Sequence, residues 1–135
     1  MIKLLILAAD ITEGRRLADS LGITNLHIMD EISIREAIGF TMDPDLPGYG
    51  SKIVDKIVSL VNSYKAARPL AIIVDMRHHD AVDKIPHDIS CLLYDGSRNR
   101  RLSYNPRYKT KYQVKDPDDS RLGELIVDFS SRIPL

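Results

Sequence analysis

The sequence predicts an α/β fold of three layers, a mainly parallel sheet with helices on both faces. Three observations predict it. The runs "KLLILAA" (3–9) and "LAIIVD" (70–75) are continuously apolar, as suits strands covered on both sides rather than strands with one wet face. A third run, "ISCLLYD" (89–95), has the same character, and all three meet an aspartate. Between them lie segments with helical spacing, and strands that alternate with helices build parallel sheets.

Taken in order, the first strand (3–9) is bounded by Asp10, and the helix after it has Thr12 as a candidate cap and Gly22 as its stop. "NLHIMD" (25–30) reads as the second strand. In "SIREAIGF", Ile34, Ala37 and Ile38 fall at helical spacing behind Ser33 as N-cap. "TMDPDLPGYG" carries two prolines and two glycines and must be a loop. From Ser51, Ile53, Ile57, Leu60, Val61 and Tyr64 mark an apolar helical stripe, which Arg68-Pro69 ends. After the strand at 70–75, "HDAVDKI" is a short helix or helical turn. Residues 96–111 have no apolar periodicity, Tyr112 opens a final short strand, and a closing helix over 118–133 turns Leu122, Leu125, Ile126 and Phe129 inward. With 135 residues and no repeat or linker, a single domain spanning 1–135 is expected.

The bulk composition excludes several classes. Basic and acidic residues balance at 19 each, so net charge gives no reason to expect a nucleic-acid binder. The single cysteine, Cys91, excludes an intramolecular disulfide, lies in an apolar run as a core thiol, and suits a reducing compartment. No segment is long and apolar enough to span a bilayer, and the start lacks a cleavage site, so the expected location is the cytoplasm.

Ligands of open parallel sheets bind beyond the carboxyl ends of the strands. Asp10, Asp30, Asp75 with Arg77, and Asp95 stand there, each also an ordinary helix cap or turn former. Asp75 and Arg77 form the strongest pair: an arginine two residues after a strand-end aspartate can fork onto a phosphate or carboxylate, or the two can simply pair with each other. His78 and His79 do not make a metal site, because adjacent residues do not share a face of a helix or strand. The stretch Ala9 to Arg16 has the spacing G-x-x-x-x-G-K-[S/T] of a phosphate loop. It keeps Gly14 but carries Ala9 for the first glycine, Arg15 for the lysine and Arg16 for the Ser/Thr. Between Gly96 and Lys115 stand seven cations and no acid, with Tyr104, Tyr108 and Tyr112 interleaved. That segment suits closure over phosphates, contact with single-stranded nucleic acid, or plain solvation.

The order of these pieces resembles the deoxynucleoside monophosphate kinase family, P-loop phosphotransferases of bacteriophages and some bacteria. "LILAADITEGRR" sits at its first strand and phosphate loop, and "DEISIREAIGF" at its "A-D-P-L-K-x-A-L" segment. "IIVDMRHHDAVDKI" is similar to its strand followed by "D-x-R-x-x-N-E", and "ISCLLYDGSRNRR" to the strand leading into its lid. "KYQVKDPDDSRLGELI" resembles its closing "D-x-x-I-x-N-D-G-S-x-x-E-L" and helix. The resemblance implies a P-loop nucleotide-kinase-like fold, with ATP and Mg2+ as cofactors. It also implies roles by position: Gly14, Arg15 and Arg16 at the nucleotide phosphates, Arg35 near the acceptor monophosphate, Asp75 and Arg77 lining the transfer site, and Arg98, Arg100 and Arg101 as lid cations.

The departures cut against activity. Arg15 replaces the lysine, Arg16 replaces a small residue near the metal, and Ala9 and Glu13 put a methyl and a negative charge where amides should meet phosphate. Members of the family are also considerably longer. Phosphoryl transfer depends on positioning and charge stabilisation, so the expectation is a nucleotide- or phosphate-binding protein on a degenerate kinase scaffold, weakly active or inactive. The alternatives are an interaction protein reusing the fold to dock on a partner protein, an active kinase, and a receiver-like domain with Asp75 as acceptor. The last is opposed by the 65 residues from Asp10 to Asp75 and by the missing acidic pair.

Overall fold

The computed structural model describes residues 2–94 and 109–133. Within them, β1 (Lys3–Ala8), β2 (His27–Asp30), β3 (Leu70–Asp75), β4 (Ile89–Leu93) and β5 (Tyr112–Val114) form one sheet in the order β2-β3-β1-β4-β5. Every pairing in it is parallel. The helices are α1 (Ile11–Ser20), α2 (Glu31–Ala37), α3 (Tyr49–Ser63) and α4 (Leu122–Ser131), and a 3-10 segment, Met76–Lys84, follows β3.

The apolar runs are explained by two cores. Along β1, Leu4, Ile6 and Ala8 join Ala71, Ile73, Cys91 and Leu93 in the core beneath α1 and α4. Leu5 and Leu7 point the other way, to Leu70, Ile72, Val74 and the stripe Ile53, Ile57 and Val61 of α3. A strand alternates faces at every residue. A strand covered on both faces must therefore be apolar at every position, as β1 and β3 nearly are. Burial of each such Leu or Ile side chain contributes about 1.5–3 kcal/mol.

The connections share one hand. α1 carries the chain leftward from β1 to β2 across the first face, while α3 and the 3-10 segment carry it rightward, to β3 and β4, across the second. Since the chain leaves β1 and its neighbour β3 towards opposite faces, their carboxyl ends form the switch point at which such sheets commonly take ligands.

Several boundaries differ from the sequence expectation, for local reasons. The cap of α1 is Asp10 rather than Thr12, because the Asp10 carboxylate accepts the Thr12 amide at 2.9 Å. The cap of α2 is Asp30 rather than Ser33; its Oδ1 accepts the Ser33 amide at 2.8 Å, so the helix starts at Glu31. α3 starts at Tyr49, behind Gly48 in the left-handed region (φ 86°), and stops at Ser63, well before Pro69. The segment after β3 is a 3-10 helix from Met76, kinked at His78, rather than a turn beginning at His79. The closing helix is shorter than 118–133, because Asp116 to Arg121 form turns around Asp119, which accepts the amides of Lys115 and Arg121. Asp95 and the segment 96–108, with Arg98, Arg100 and Arg101, lie outside the described residues.

Two sites hold the layers in place. Gly14 lets α1 lie directly on the sheet: a Cβ there would stand 2.6 Å from Ile73 Cγ2 and 3.2 Å from the Ala8 Cβ. On the far side, Asp128 of α4 accepts from Lys111 Nζ at 2.7 Å, Tyr112 Oη at 2.6 Å and Arg132 Nε at 2.8 Å, tying the short edge strand β5 to α4. These three donors hold the Asp128 carboxyl well below its ordinary range, and the same bond pushes the Tyr112 phenol up to about 12.

Two outcomes are expected. Gly14→Ala gains about 1 kcal/mol of helix propensity but overpacks a branched, buried neighbour at about 1–3 kcal/mol. Thermal denaturation should therefore show Gly14→Ala near neutral to destabilised, and Gly14→Val clearly lower in Tm. For Asp128, whose folded pKa is depressed, the stabilisation is present above the unfolded value near 3.8 and is lost as pH falls through the lower folded value. Asp128→Asn should lower stability at pH 7 by about 1–2 kcal/mol, and the gap to the unsubstituted chain should narrow in urea melts as pH drops below 4.

Candidate functional site at the carboxyl ends of the strands

The sheet ends on a row of charged residues in which acids and arginines are already paired. β2 ends on Asp30 and α2 begins on Glu31, and these adjacent, buried carboxylates gather four elements. Asp30 Oδ2 accepts a hydrogen bond from Arg15 Nη1 of α1 and another from Ser33 Oγ at 3.1 Å. Glu31 Oε2 accepts from the Tyr49 hydroxyl of α3 at 2.6 Å. Glu31 Oε1 accepts the Asp75 amide of β3 at 3.1 Å and stands 3.0 Å from His78 Nε2 of the 3-10 segment. Burial alone would push the Glu31 carboxyl up. Hydrogen bonds from His78 and Tyr49, the His78 charge and the Asp75 amide outweigh it and hold the carboxyl low. The Tyr49 phenol is displaced upward, by burial and then by its bond to Glu31.

Asp75 and Arg77 form the internal pair that was one of their two readings. Asp75 caps the 3-10 segment by accepting the Arg77 amide at 3.0 Å, and its Oδ2 lies 3.2 Å from Arg77 Nε. Arg77 Nη1 also donates to the Pro44 carbonyl at 3.1 Å, fastening the loop between α2 and α3. Arg35 fastens the same loop through the Met42 carbonyl at 2.9 Å and lies over the Tyr49 ring at 5.5 Å. Its Nε is buried with no hydrogen-bond partner, and the side chain borders a groove of about 490 Å3 with Ile32, Phe40 and Thr41.

Residues 9–16 do not fit the phosphate loop that their spacing suggested. Only Ala9 and Asp10 separate β1 from α1. The Gly14 amide donates to the Asp10 carbonyl at 3.0 Å inside the helix, and the Thr12 amide is taken by the Asp10 side chain. An anion nest needs several free amides converging on one point; here a carboxylate occupies that place. Gly14 faces the sheet, Arg15 is committed to Asp30, and Arg16 pairs with Glu13 at 2.8 Å and points towards Asp118. These residues do not fit ATP with Mg2+.

The structure thus links Arg15, Asp75 and Arg77 through Asp30 and Glu31, and Arg35 through Tyr49, while Gly14 and Arg16 stand apart. Sequence reasoning missed Glu31, Tyr49 and His78 as a unit. The signal was faint: a second acid directly after Asp30, and a tyrosine inside a segment read as loop. It also missed Arg121, which donates to the Tyr94 hydroxyl at 2.7 Å beyond β4 and to Asp119 at 2.8 Å. Of the two histidines, His78 turns inward to Glu31, and His79 lies beside Asp80 at 3.2 Å.

Glu31→Ala should cost about 3 kcal/mol, because the Tyr49 hydroxyl, the Asp75 amide and His78 lose their acceptor inside the protein. Glu31→Gln should cost less. Since the folded pKa of Glu31 lies below its ordinary 4.5, its contribution is present above that value and lost as pH falls through the folded one. Denaturant melts from pH 7 to 3 should show a shallower loss for Glu31→Gln than for the unsubstituted chain.

No protein-family model and no curated protein sequence matches the chain. Among solved structures, it is similar to the tunicamycin resistance protein of Deinococcus radiodurans. The TM-score is 0.56 at 13% identity, covering 99% of this chain and 96% of that one. That protein has a P-loop kinase-like fold. At this identity the likeness concerns the fold alone: an α/β protein with a five-stranded parallel sheet and helices.

Proposed function

We propose that the chain binds a nucleotide or another phosphate ligand on a nucleotide-kinase scaffold and transfers no phosphoryl group. The carrying observation is the groove of about 490 Å3 that Arg35 lines together with Phe40, Thr41 and the acid Glu36. An arginine beside an aromatic residue in a groove along α2 and the loop after it suits a phosphate and an attached base. Loss of transfer is supported by the connection at Ala9-Asp10: a carboxylate in the anion position repels the donor phosphates that such a reaction must hold. Arg15, Asp75 and Arg77 then act as scaffold charges, each held by a partner, and not as catalysts.

A second reading has its own observation. Ile32 is 50%, Ile38 38% and Leu46 52% exposed, on or near α2 and in the loop that Arg35 and Arg77 fasten. An apolar surface of this kind suits a protein partner in a non-enzymatic role.

Isothermal titration with a panel of nucleoside and deoxynucleoside monophosphates should show binding at or below millimolar ligand, weakened about tenfold or more in Arg35→Ala. A coupled ADP-release assay with ATP and Mg2+ should show no turnover. Absence of any binding at millimolar ligand would overturn the ligand reading, and turnover that depends on Arg15 would overturn the loss of transfer. In a partner-binding assay, the interaction reading requires Ile32→Asp and Leu46→Asp to abolish capture while Arg35→Ala leaves it intact.

A further inference from the structure

Ile32 and Glu36 lie one turn apart on α2, so both face the same side of that helix. With Phe40 they border the groove of about 490 Å3. Gly39, at φ 66°, lets the Phe40 amide reach back to the Arg35 carbonyl at 2.9 Å, which folds Phe40 onto the helix end. The Phe40 ring stands 5.9 Å from the ring of Tyr49, whose hydroxyl is fixed by Glu31. This apolar wall is held in place before anything docks, which lowers the ordering cost of binding. The loop after α2 comes to the helix at Met42, whose carbonyl accepts from Arg35, and Arg77 pins it at Pro44. Asp43 then turns the chain: its carboxylate accepts the Asp45 amide at 2.9 Å and its carbonyl the Leu46 amide at 3.1 Å. Leu46, closing that turn, is half exposed, as is Ile32.

Three exposed acids, Glu36, Asp43 and Asp45, stand in the same stretch. Among the described residues none of them pairs with a cation, whereas Asp30, Asp75, Asp119 and Asp128 all do. Between residues 31 and 48 the one cation is Arg35, and its Nη2 is held by the Met42 carbonyl. Half-exposed apolar side chains set among unpaired acids are the complement of an apolar side chain flanked by lysine or arginine.

Resting on the reading of a protein partner, we propose that this surface docks a basic amphipathic segment of another protein. One of its apolar residues enters the groove against Ile32 and Phe40, and its cations stand opposite Glu36, Asp43 and Asp45. The apolar contact supplies most of the affinity, because the acids are exposed and screened. The acids select the sign of the partner. An acidic segment meets three like charges, and its one attraction is an arginine already hydrogen-bonded within the chain. A second copy of this chain is a poorer occupant, since a two-fold contact sets the same acids against themselves.

The test is selection of a displayed library of random dodecapeptides on the full chain, followed by calorimetry and amide NMR with the selected peptides. Enriched sequences should carry Lys or Arg around a large apolar residue and give saturable shifts at Ile32, Glu36 and Leu46. Ile32→Ser and Leu46→Ser remove apolar surface without adding charge. Each should weaken binding about tenfold with Tm unchanged, since both side chains are half exposed. Glu36→Lys combined with Asp45→Lys alters two carboxylates that bond to nothing among the described residues. That chain should bind the basic peptides about tenfold more weakly and turn the same selection towards acidic sequences. Enrichment of acidic or uncharged peptides that shift the same amides would overturn the basic partner and leave the reading of a docking surface standing. Peptides that bind elsewhere, or none at all, would overturn both. A dimer in sedimentation that Ile32→Ser dissolves would assign the face to a second copy and overturn the proposal.

Discussion

The buried carboxylate of Glu31 is the contact on which the carboxyl end of this sheet depends. It receives a tyrosine from α3, an amide from the end of β3 and an imidazole from the 3-10 segment, while its neighbour Asp30 holds α1 through Arg15. Removing such a group from water is costly unless its lone pairs are filled. The four elements are therefore positioned by the need to fill them, and the loops that follow β2 and β3 inherit that geometry. Tyr49 and Arg77 in turn set the ends of the loop that carries Leu46.

A parallel α/β architecture and phosphate-transfer chemistry are separable here for an electrostatic reason. The switch point between β1 and β3 is a consequence of topology, because their connections leave towards opposite faces. What stands there is a matter of residues. With a two-residue connection, α1 starts too early for its amides to converge on a ligand, and Asp10 takes the donor that an anion would use. Among the described residues, each arginine at the site is bound to an acid or a carbonyl of the same chain. Among the described residues, buried nitrogens without a hydrogen-bond partner remain here at Arg35 Nε and His78 Nε2.

Much of this was legible in the sequence. The strands at 3–9 and 70–75 and the stripe of α3 are strong periodic signals, and their errors are a residue or two at the ends. The caps were misassigned because Asp, Ser and Thr all cap helices, and the choice at Asp10 and Asp30 is made by which side chain the backbone turn brings to the free amide. Asp75 and Arg77 were found, with both of their readings, by their place after a strand. Glu31 was not found, since nothing local separates a buried, shared carboxylate from an exposed one in a helix's first turn.

The sequence by itself determined the class of fold, because a strand buried on both faces leaves no polar position and a helix on a sheet leaves a stripe. It also determined that the residues of a phosphate loop are absent. Only the tertiary structure decided what became of the loop. Gly14, which the spacing offered as a phosphate ligand, is the point where α1 touches Ile73, and Asp10 closes the helix end. Spacing along a chain does not say where a helix begins, and where α1 begins decides whether its amides face a ligand or one another.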